Sequence, residues 1–198
     1  MINNIFTIDD FLPKSTQDKI ENLFFSNRLP WLFLRDVALP DDEIKAAGIT
    51  KLTPGIGCYI KQDEPAFVND KLLNELKIIP EKACEAAELK CKEIFNARSF
   101  MHFPLAEELR KEYDNIHIDV TYDHVVCLYY VNDSEGDTFL FDKTHAELPY
   151  LNKDVKLNVR KRVTPKKGRA ILFNGNIYHS SSCPSKNLRC IINFNVKI

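Results

Sequence analysis

Residues 124–141 read HVVCLYYVNDSEGDTFLF. Eight residues rich in valine and tyrosine form one β-type run, the polar stretch 132–137 supplies turn chemistry, and DTFLF begins a second run. No helical spacing intervenes, so the two runs read as strands joined by a loop. Outward from this pair, ARSFMHF and NIHIDV precede it, and KLNVRKRV, RAILFN, NIYHSS and LRCIINFNV follow, with turns at PKKG (165–168) and CPSKN (183–187). Eight short strands at this spacing predict a β-sandwich or jelly roll in place of alternating βα units.

The character of the chain changes near residue 97. Before it, Ser15 is placed to cap a helix whose Ile20, Leu23 and Phe24 share one face. Pro80 suits the first turn of a second helix over 81–96, where Cys84, Ala87, Cys91 and Ile94 make one apolar stripe for packing. Residues 70–78 predict a shorter helix. The stretch 28–69, with prolines at 30, 40, 54 and 65, predicts irregular structure with short strands. The expectation is a single domain over 1–198, mainly β with flanking helices (α+β): helical and irregular support from 1–97 covers a β core at 98–198.

At 44% apolar and 28% charged, the composition excludes a disordered chain. With 27 basic residues against 28 acidic ones, no global field draws the protein to nucleic acid or membranes. The near-zero charge averages unlike parts, because Lys153 to Arg169 carries eight basic residues and one acidic. That segment lacks interleaved aromatics and reads as a solvated strand face and turn, so nucleic acid is not an expected partner. Six cysteines without a CxxC pair predict free thiols, the N-terminus shows no secretory pattern, and no apolar run approaches the roughly 18 residues of a membrane span. A cytoplasmic location is expected.

Five histidines are the versatile residues. His117-Ile118-Asp119 puts an imidazole and a carboxylate two apart on a strand, hence on one face, which suits a shared metal ion. Five histidines and fifteen aspartates in this length produce about 0.4 such pairs by chance, so the pair needs support. His145-Ala146-Glu147 is a weaker dyad, in a polar connection before Pro149. Support comes from His179, at the end of another strand: two imidazoles and one carboxylate are the ligand set of non-haem Fe(II) oxygenases. No cysteine stands at a spacing that would complete a closed zinc site. Arg189 opens the last apolar strand, where a guanidinium is costly unless an anion meets it. It either receives a carboxylate through paired hydrogen bonds or sits at a rim beside an acidic side chain.

Taken in order, HID at 117–119, CLYYVNDSEGDTFLF at 127–141, PKKGRAILF at 165–173 and HSSSCPSKNLRCIINF at 179–194 resemble the prolyl-4-hydroxylase-like branch of the Fe(II)/2-oxoglutarate-dependent dioxygenases. The resemblance covers residues 98–196. It implies a double-stranded β-helix (jelly roll) core, iron held by His117, Asp119 and His179 as the catalytic centre, and 2-oxoglutarate bound by Arg189, with Tyr130 hydrogen-bonding the same far carboxylate. It further implies O2 as cosubstrate, succinate and carbon dioxide as products, hydroxylation of an aliphatic C–H in a peptide, protein or small molecule, and ascorbate as reductant. Three positions depart from the pattern. A tyrosine that some relatives carry before the dyad corresponds to Phe103, a glycine pair is reduced to Gly136-Asp137, and Asn195 stands where the nucleic-acid demethylase branch has a second arginine. Two other classes stay open: a catalytically silent jelly-roll binding or structural module, and a cupin-like metalloenzyme that does not use 2-oxoglutarate. Loops within 28–69 and 142–156 are expected to bound the substrate.

Overall fold

The computed structural model describes residues 2–38, 44–45, 52–63, 65–150 and 155–198; Pro40 and Lys153 lie outside them. The strands are β1 (Phe6–Ile8), β2 (Leu32–Leu34), β3 (Gly55–Gln62), β4 (Phe67–Val68), β5 (Glu93–His102), β6 (Val125–Tyr130), β7 (Thr138–Thr144), β8 (Val159–Val163), β9 (Ala170–Asn174), β10 (Ile177–Ser181) and β11 (Arg189–Lys197). The helices are α1 (Lys14–Phe24), α2 (Asp70–Leu76) and α3 (Ile78–Ala86). One antiparallel sheet runs β1-β9-β6-β11-β5-β3-β2, with β4 on β3, and a second runs β10-β7-β8. Together they make a mainly β jelly-roll core with a few helices. Strands β1 to β4 show that the first half of the chain supplies part of the large sheet as well as helices packed on it.

The alternation of strand side chains builds two cores at once. Cys127, Tyr129 and Val131 of the β6 segment face the helices, where Ile20, Phe24, Leu76 and Ile79 cover them. Val126, Leu128 and Tyr130 face the other way, against Leu140, Val163, Ile177 and Ile191 between the sheets. Every β6 residue is buried because both faces are covered. The same alternation on β11 sends Cys190, Ile192, Phe194 and Val196 to the helical side. It leaves Arg189, Ile191 and Asn193 to the inter-sheet cavity.

Two helix boundaries differ from the sequence expectation. The helix expected over 81–96 ends at Ala86: Leu89 N–H closes onto the Cys84 carbonyl (2.8 Å), Glu88 takes φ +59°, and 93–102 is strand. The stripe through Cys91 and Ile94 misled because its spacing continues past the turn, and pairing of Ile94 with Val196 outweighs it. Ser15 does not cap α1, which begins one residue earlier on the Pro13 carbonyl, the acceptor for Thr16 N–H at 2.8 Å.

Four basic residues of the segment, Arg162, Lys166, Lys167 and Arg169, make internal ion pairs. Lys167 meets Asp18 (2.6 Å) and Glu21 (2.5 Å), Arg169 meets Asp9 (2.7 Å), and Arg162 meets Asp137. Gly168, at φ +79°, lies so close to Gln17 that a Cβ there would collide with it. This turn therefore pins the N-terminal segment and α1 to the sheet. No helix among the described residues is long and apolar enough to cross a membrane.

Candidate active site

His117 and His179 come together through the backbone. His117 lies in the loop before β6 and forms an isolated antiparallel bridge with His179 of β10, each N–H donating to the other's carbonyl at 3.0 Å. The loop is held by Ile116 and Ile118, which pack with Phe139, Phe141 and Tyr178 on the outer face of the small sheet. The two rings sit 4.7 Å apart, centroid to centroid. In each, Nδ1 donates to a carbonyl, Asn115 O for His117 (2.9 Å) and Ile177 O for His179 (3.0 Å). A carbonyl only accepts, so the lone pair of both rings is on Nε2.

Asp119 completes the cluster: one donor atom from each of the three residues lies within 4.8 Å of the others, and His179 Nε2 is 3.9 Å from Asp119 Oδ1. Arg98 Nη2 donates to Oδ1 (2.5 Å) and Asn193 Nδ2 to Oδ2 (2.8 Å). Burial opposes ionisation of Asp119, yet Arg98, both imidazoles and the Asn193 bond outweigh it and hold the carboxyl well below its usual range. Burial first, then His117, lowers His179 to about 4, so its ring is neutral at neutral pH. Two imidazoles presenting Nε2 and an ionised carboxylate, with no sulfur, form a donor set that fits Fe(II).

The cluster opens into a narrow cavity of about 60 Å³ whose wall also includes Phe100, His102, Thr138, Ser181 and Arg189. Arg189 is 2% exposed; its Nε donates to Gly136 O (2.6 Å) and Nη2 to Thr138 Oγ1 (2.9 Å). Among the described residues Nη1 makes no hydrogen bond and no carboxylate pairs with the guanidinium, which sets aside the rim-arginine alternative. A Cβ at Gly136 would lie 2.7 Å from Arg189 Cδ and 2.5 Å from the Ser182 carbonyl, so this glycine is needed for close approach. A buried cation without an anion, in the wall of the cavity that also contains the His117, Asp119 and His179 cluster, is equipped for a ligand with a distal carboxylate.

Tyr130 is placed differently from the expected contact. It is buried, its pKa pushed up to about 12 by burial, and its hydroxyl donates to Thr138 Oγ1 at 2.8 Å. Thr138 thus accepts from both Tyr130 and Arg189, leaving its own hydroxyl hydrogen to point elsewhere in the cavity it lines. Phe103, just past β5, is 40% exposed, whereas its neighbour His102 lines the cavity together with Arg98 and Phe100 of β5. The weaker dyad is a turn: Thr144 N–H donates to Glu147 Oε2 and Glu147 N–H to Thr144 Oγ1, a capping exchange on the surface.

Sequence reasoning missed Arg98, Thr138 and Asn193. Arg98 and Asn193 are polar residues at inward positions of strands whose alternate residues are core, a signal the alternation offers once the inner face is known. Val37 and Ala38, within the stretch expected to bound the substrate, also line the cavity.

No family model and no curated protein sequence matches the chain. Solved structures do. A Burkholderia pseudomallei oxidoreductase of the 2OG-Fe(II) oxygenase family aligns over 98% of this chain and 84% of its own, at 11% identity and TM-score 0.62. The non-heme alpha-ketoglutarate-dependent epimerase SnoN from nogalamycin biosynthesis aligns over 97% and 77%, at 10% and 0.64. A Trichoplax adhaerens prolyl hydroxylase, solved with a hypoxia inducible factor peptide fragment, aligns over 98% and 83%, at 16% and 0.55. The fold is therefore the one shared by 2-oxoglutarate/Fe(II) oxygenases.

Proposed function

We propose that this protein is an Fe(II)- and 2-oxoglutarate-dependent dioxygenase that hydroxylates an aliphatic C–H, releasing succinate and carbon dioxide. The observation that carries the reading is one cavity with a two-histidine, one-carboxylate cluster and an anion-free buried arginine in its wall. His117, Asp119 and His179 would hold the iron, which when bound with 2-oxoglutarate and O2 supplies the oxidising chemistry. Asn115 and Ile177 carbonyls keep both rings in the ligating tautomer, while Arg98 and Asn193 keep Asp119 ionised and aimed. Arg189 would take the distal carboxylate through Nη1, with the Thr138 hydroxyl as a second donor held by Tyr130. Phe100, Leu128 and Ile191 in the cavity wall limit the water that competes there.

Across Asp119 lies a second cavity of about 450 Å³, with Asp63, Asn96, Tyr122 and Asn195 in its wall beside Arg98. This polar wall suits a substrate with hydrogen-bonding groups near the oxidised carbon, which a peptidyl proline and a small polar metabolite both provide. A prolyl residue is the first candidate because prolyl hydroxylases occur among the similar folds. Ascorbate is the proposed reductant and a reducing cytoplasm the proposed location, in keeping with six free thiols. The unpartnered Arg189 speaks against a metalloenzyme that does not use 2-oxoglutarate, and the preserved donor set speaks against a silent module.

The test is succinate formation from 2-oxoglutarate, followed by proton NMR with and without Fe(II), and mass spectrometry of a cell extract for products gaining one oxygen. Wild-type protein is expected to form both and the His179→Ala variant neither. Failure to bind Mn(II) or 2-oxoglutarate in calorimetry would sink the reading.

A further inference from the structure

Beside the cavity, with His102 in its wall, a second group of donors converges. His102 ends β5, Asp114 stands in the loop three residues before His117, and Cys183 follows β10. One donor atom of each lies within 4.8 Å of the other two. They are 2%, 5% and 8% exposed, so the cluster is far drier than a chance surface grouping. Backbone bonds hold its segments together: Asp114 N–H donates to Ser181 O (2.6 Å), and Leu105 N–H to Pro184 O (3.3 Å).

Within the cluster, polar capacity is left over. His102 Nδ1 is buried without a hydrogen-bond partner. Asp114 accepts from Thr53 Oγ1 (2.5 Å) on one oxygen and Ser181 Oγ (3.1 Å) on the other, which orients the carboxylate and leaves each oxygen a further lone pair. Cys183 is a thiol outside any disulfide, beside the Thr53 side chain. An orphaned buried nitrogen is rare enough in proteins to require an explanation, and an unmodified hydrocarbon environment would not favour the other two groups either.

We propose that His102, Asp114 and Cys183 form a second metal site, for a zinc-type divalent cation, separate from the cluster at His117. Nitrogen, carboxylate oxygen and thiolate sulfur are the ligand types of Zn²⁺, and three protein ligands leave one tetrahedral position for water or a small anion. The charges close: a divalent ion, one thiolate and one carboxylate sum to zero, so a loaded site adds no net charge near Arg189. Thr53 and Ser181 supply the outer hydrogen bonds that aim a ligating carboxylate. A filled site would clasp β5, the loop bearing His117 and Asp119, and the loop after β10.

Sulfur distinguishes this site from the first one, which has none. Co(II) added to the metal-free full chain should produce a sulfur-to-cobalt charge-transfer band in the near ultraviolet, saturating by two equivalents in the wild type and by one in His117→Ala, and bleached by Zn²⁺. The band should persist in His117→Ala and vanish in Cys183→Ser, with Asp114→Asn weakening Co(II) affinity at least about tenfold. No band in the wild type, or a band that survives Cys183→Ser, overturns the proposal. Should Cys183→Ser fail to fold, zinc-edge X-ray absorption on the His117→Ala protein with one equivalent of Zn²⁺ decides. One sulfur at about 2.3 Å supports the site, and a shell of nitrogen and oxygen alone overturns it.

Discussion

His117 and His179 are joined by two backbone hydrogen bonds of 3.0 Å, each residue donating to the other. Their imidazoles are therefore neighbours because of a β-bridge and not because of any attraction between rings. Replacing either imidazole leaves that frame in place. His117→Ala and His179→Ala should retain the wild-type circular dichroism spectrum while losing Mn(II) affinity by more than about 100-fold in calorimetry, since even outer partners of metal ligands are worth roughly 10- to 100-fold.

Thr138 Oγ1 is where Tyr130 and Arg189 converge, so it should matter more than the tyrosine. Thr138→Val removes an acceptor for both and a donor to the cavity, at a cost of about 1 to 3 kcal/mol for the buried groups left unpaired. Tyr130→Phe removes one donor and leaves Thr138 bound to Arg189. Calorimetry with 2-oxoglutarate on Mn(II)-loaded protein is expected to show a larger affinity loss for Thr138→Val than for Tyr130→Phe.

Arg98 and a bound cation neutralise the same carboxylate. Arg98→Met should lower the melting temperature of the metal-free protein, because Asp119, with its side chain 1% exposed, loses its charge partner. A cation then relieves more in the variant than in the wild type. Thermal melts with and without Mn(II) should show a larger metal-induced rise for Arg98→Met; an equal rise would mean that the guanidinium does not share the metal's role.

Asp9 is lowered from 3.8 to about 2, chiefly by its hydrogen bond to Arg169, with burial opposing and Lys166 assisting. A carboxyl with a depressed folded-state pKa contributes stability that is fully present above the unfolded value and is lost as pH falls towards the folded one. The Asp9–Arg169 contribution should thus be complete above about pH 4 and disappear between about pH 4 and pH 2. Melting curves across that window should fall less steeply for Asp9→Asn, which starts lower at neutral pH.

Several features were legible because they depend on residue type and local period. The HID dyad, the strand ending in His179 and the inward Arg189 each carry a chemical cost or preference visible in one strand. Others needed a partner far along the chain. Arg98 meets Asp119 across 21 residues and Asn193 meets it across 74, and nothing local to any of them announces the contact. Phe103 and His102 differ by one position, and a strand's two faces exchange with a one-residue shift. Only the pairing of Arg189 with His102 in the sheet decides that the histidine lines the cavity. The end of α3 was hidden for a similar reason: Ala87 and Glu88 contain no glycine or proline to mark the turn.

Alternating apolar runs, their polar turns and the order of His117, Asp119, His179 and Arg189 were enough to predict a β-sandwich or jelly-roll core and to single out a candidate metal-ligand set, since strand period and ligand chemistry are properties of short segments. Tertiary structure alone decided which nitrogens of His117 and His179 face the shared cluster, that Tyr130 reaches the cavity through Thr138, that Lys167 and Arg169 of the basic segment are paired with α1 and Asp9, and that His102, Asp114 and Cys183 meet. Each of these depends on side chains brought together by sheet pairing between distant segments, and the register of that pairing is set by how the whole chain buries its apolar faces.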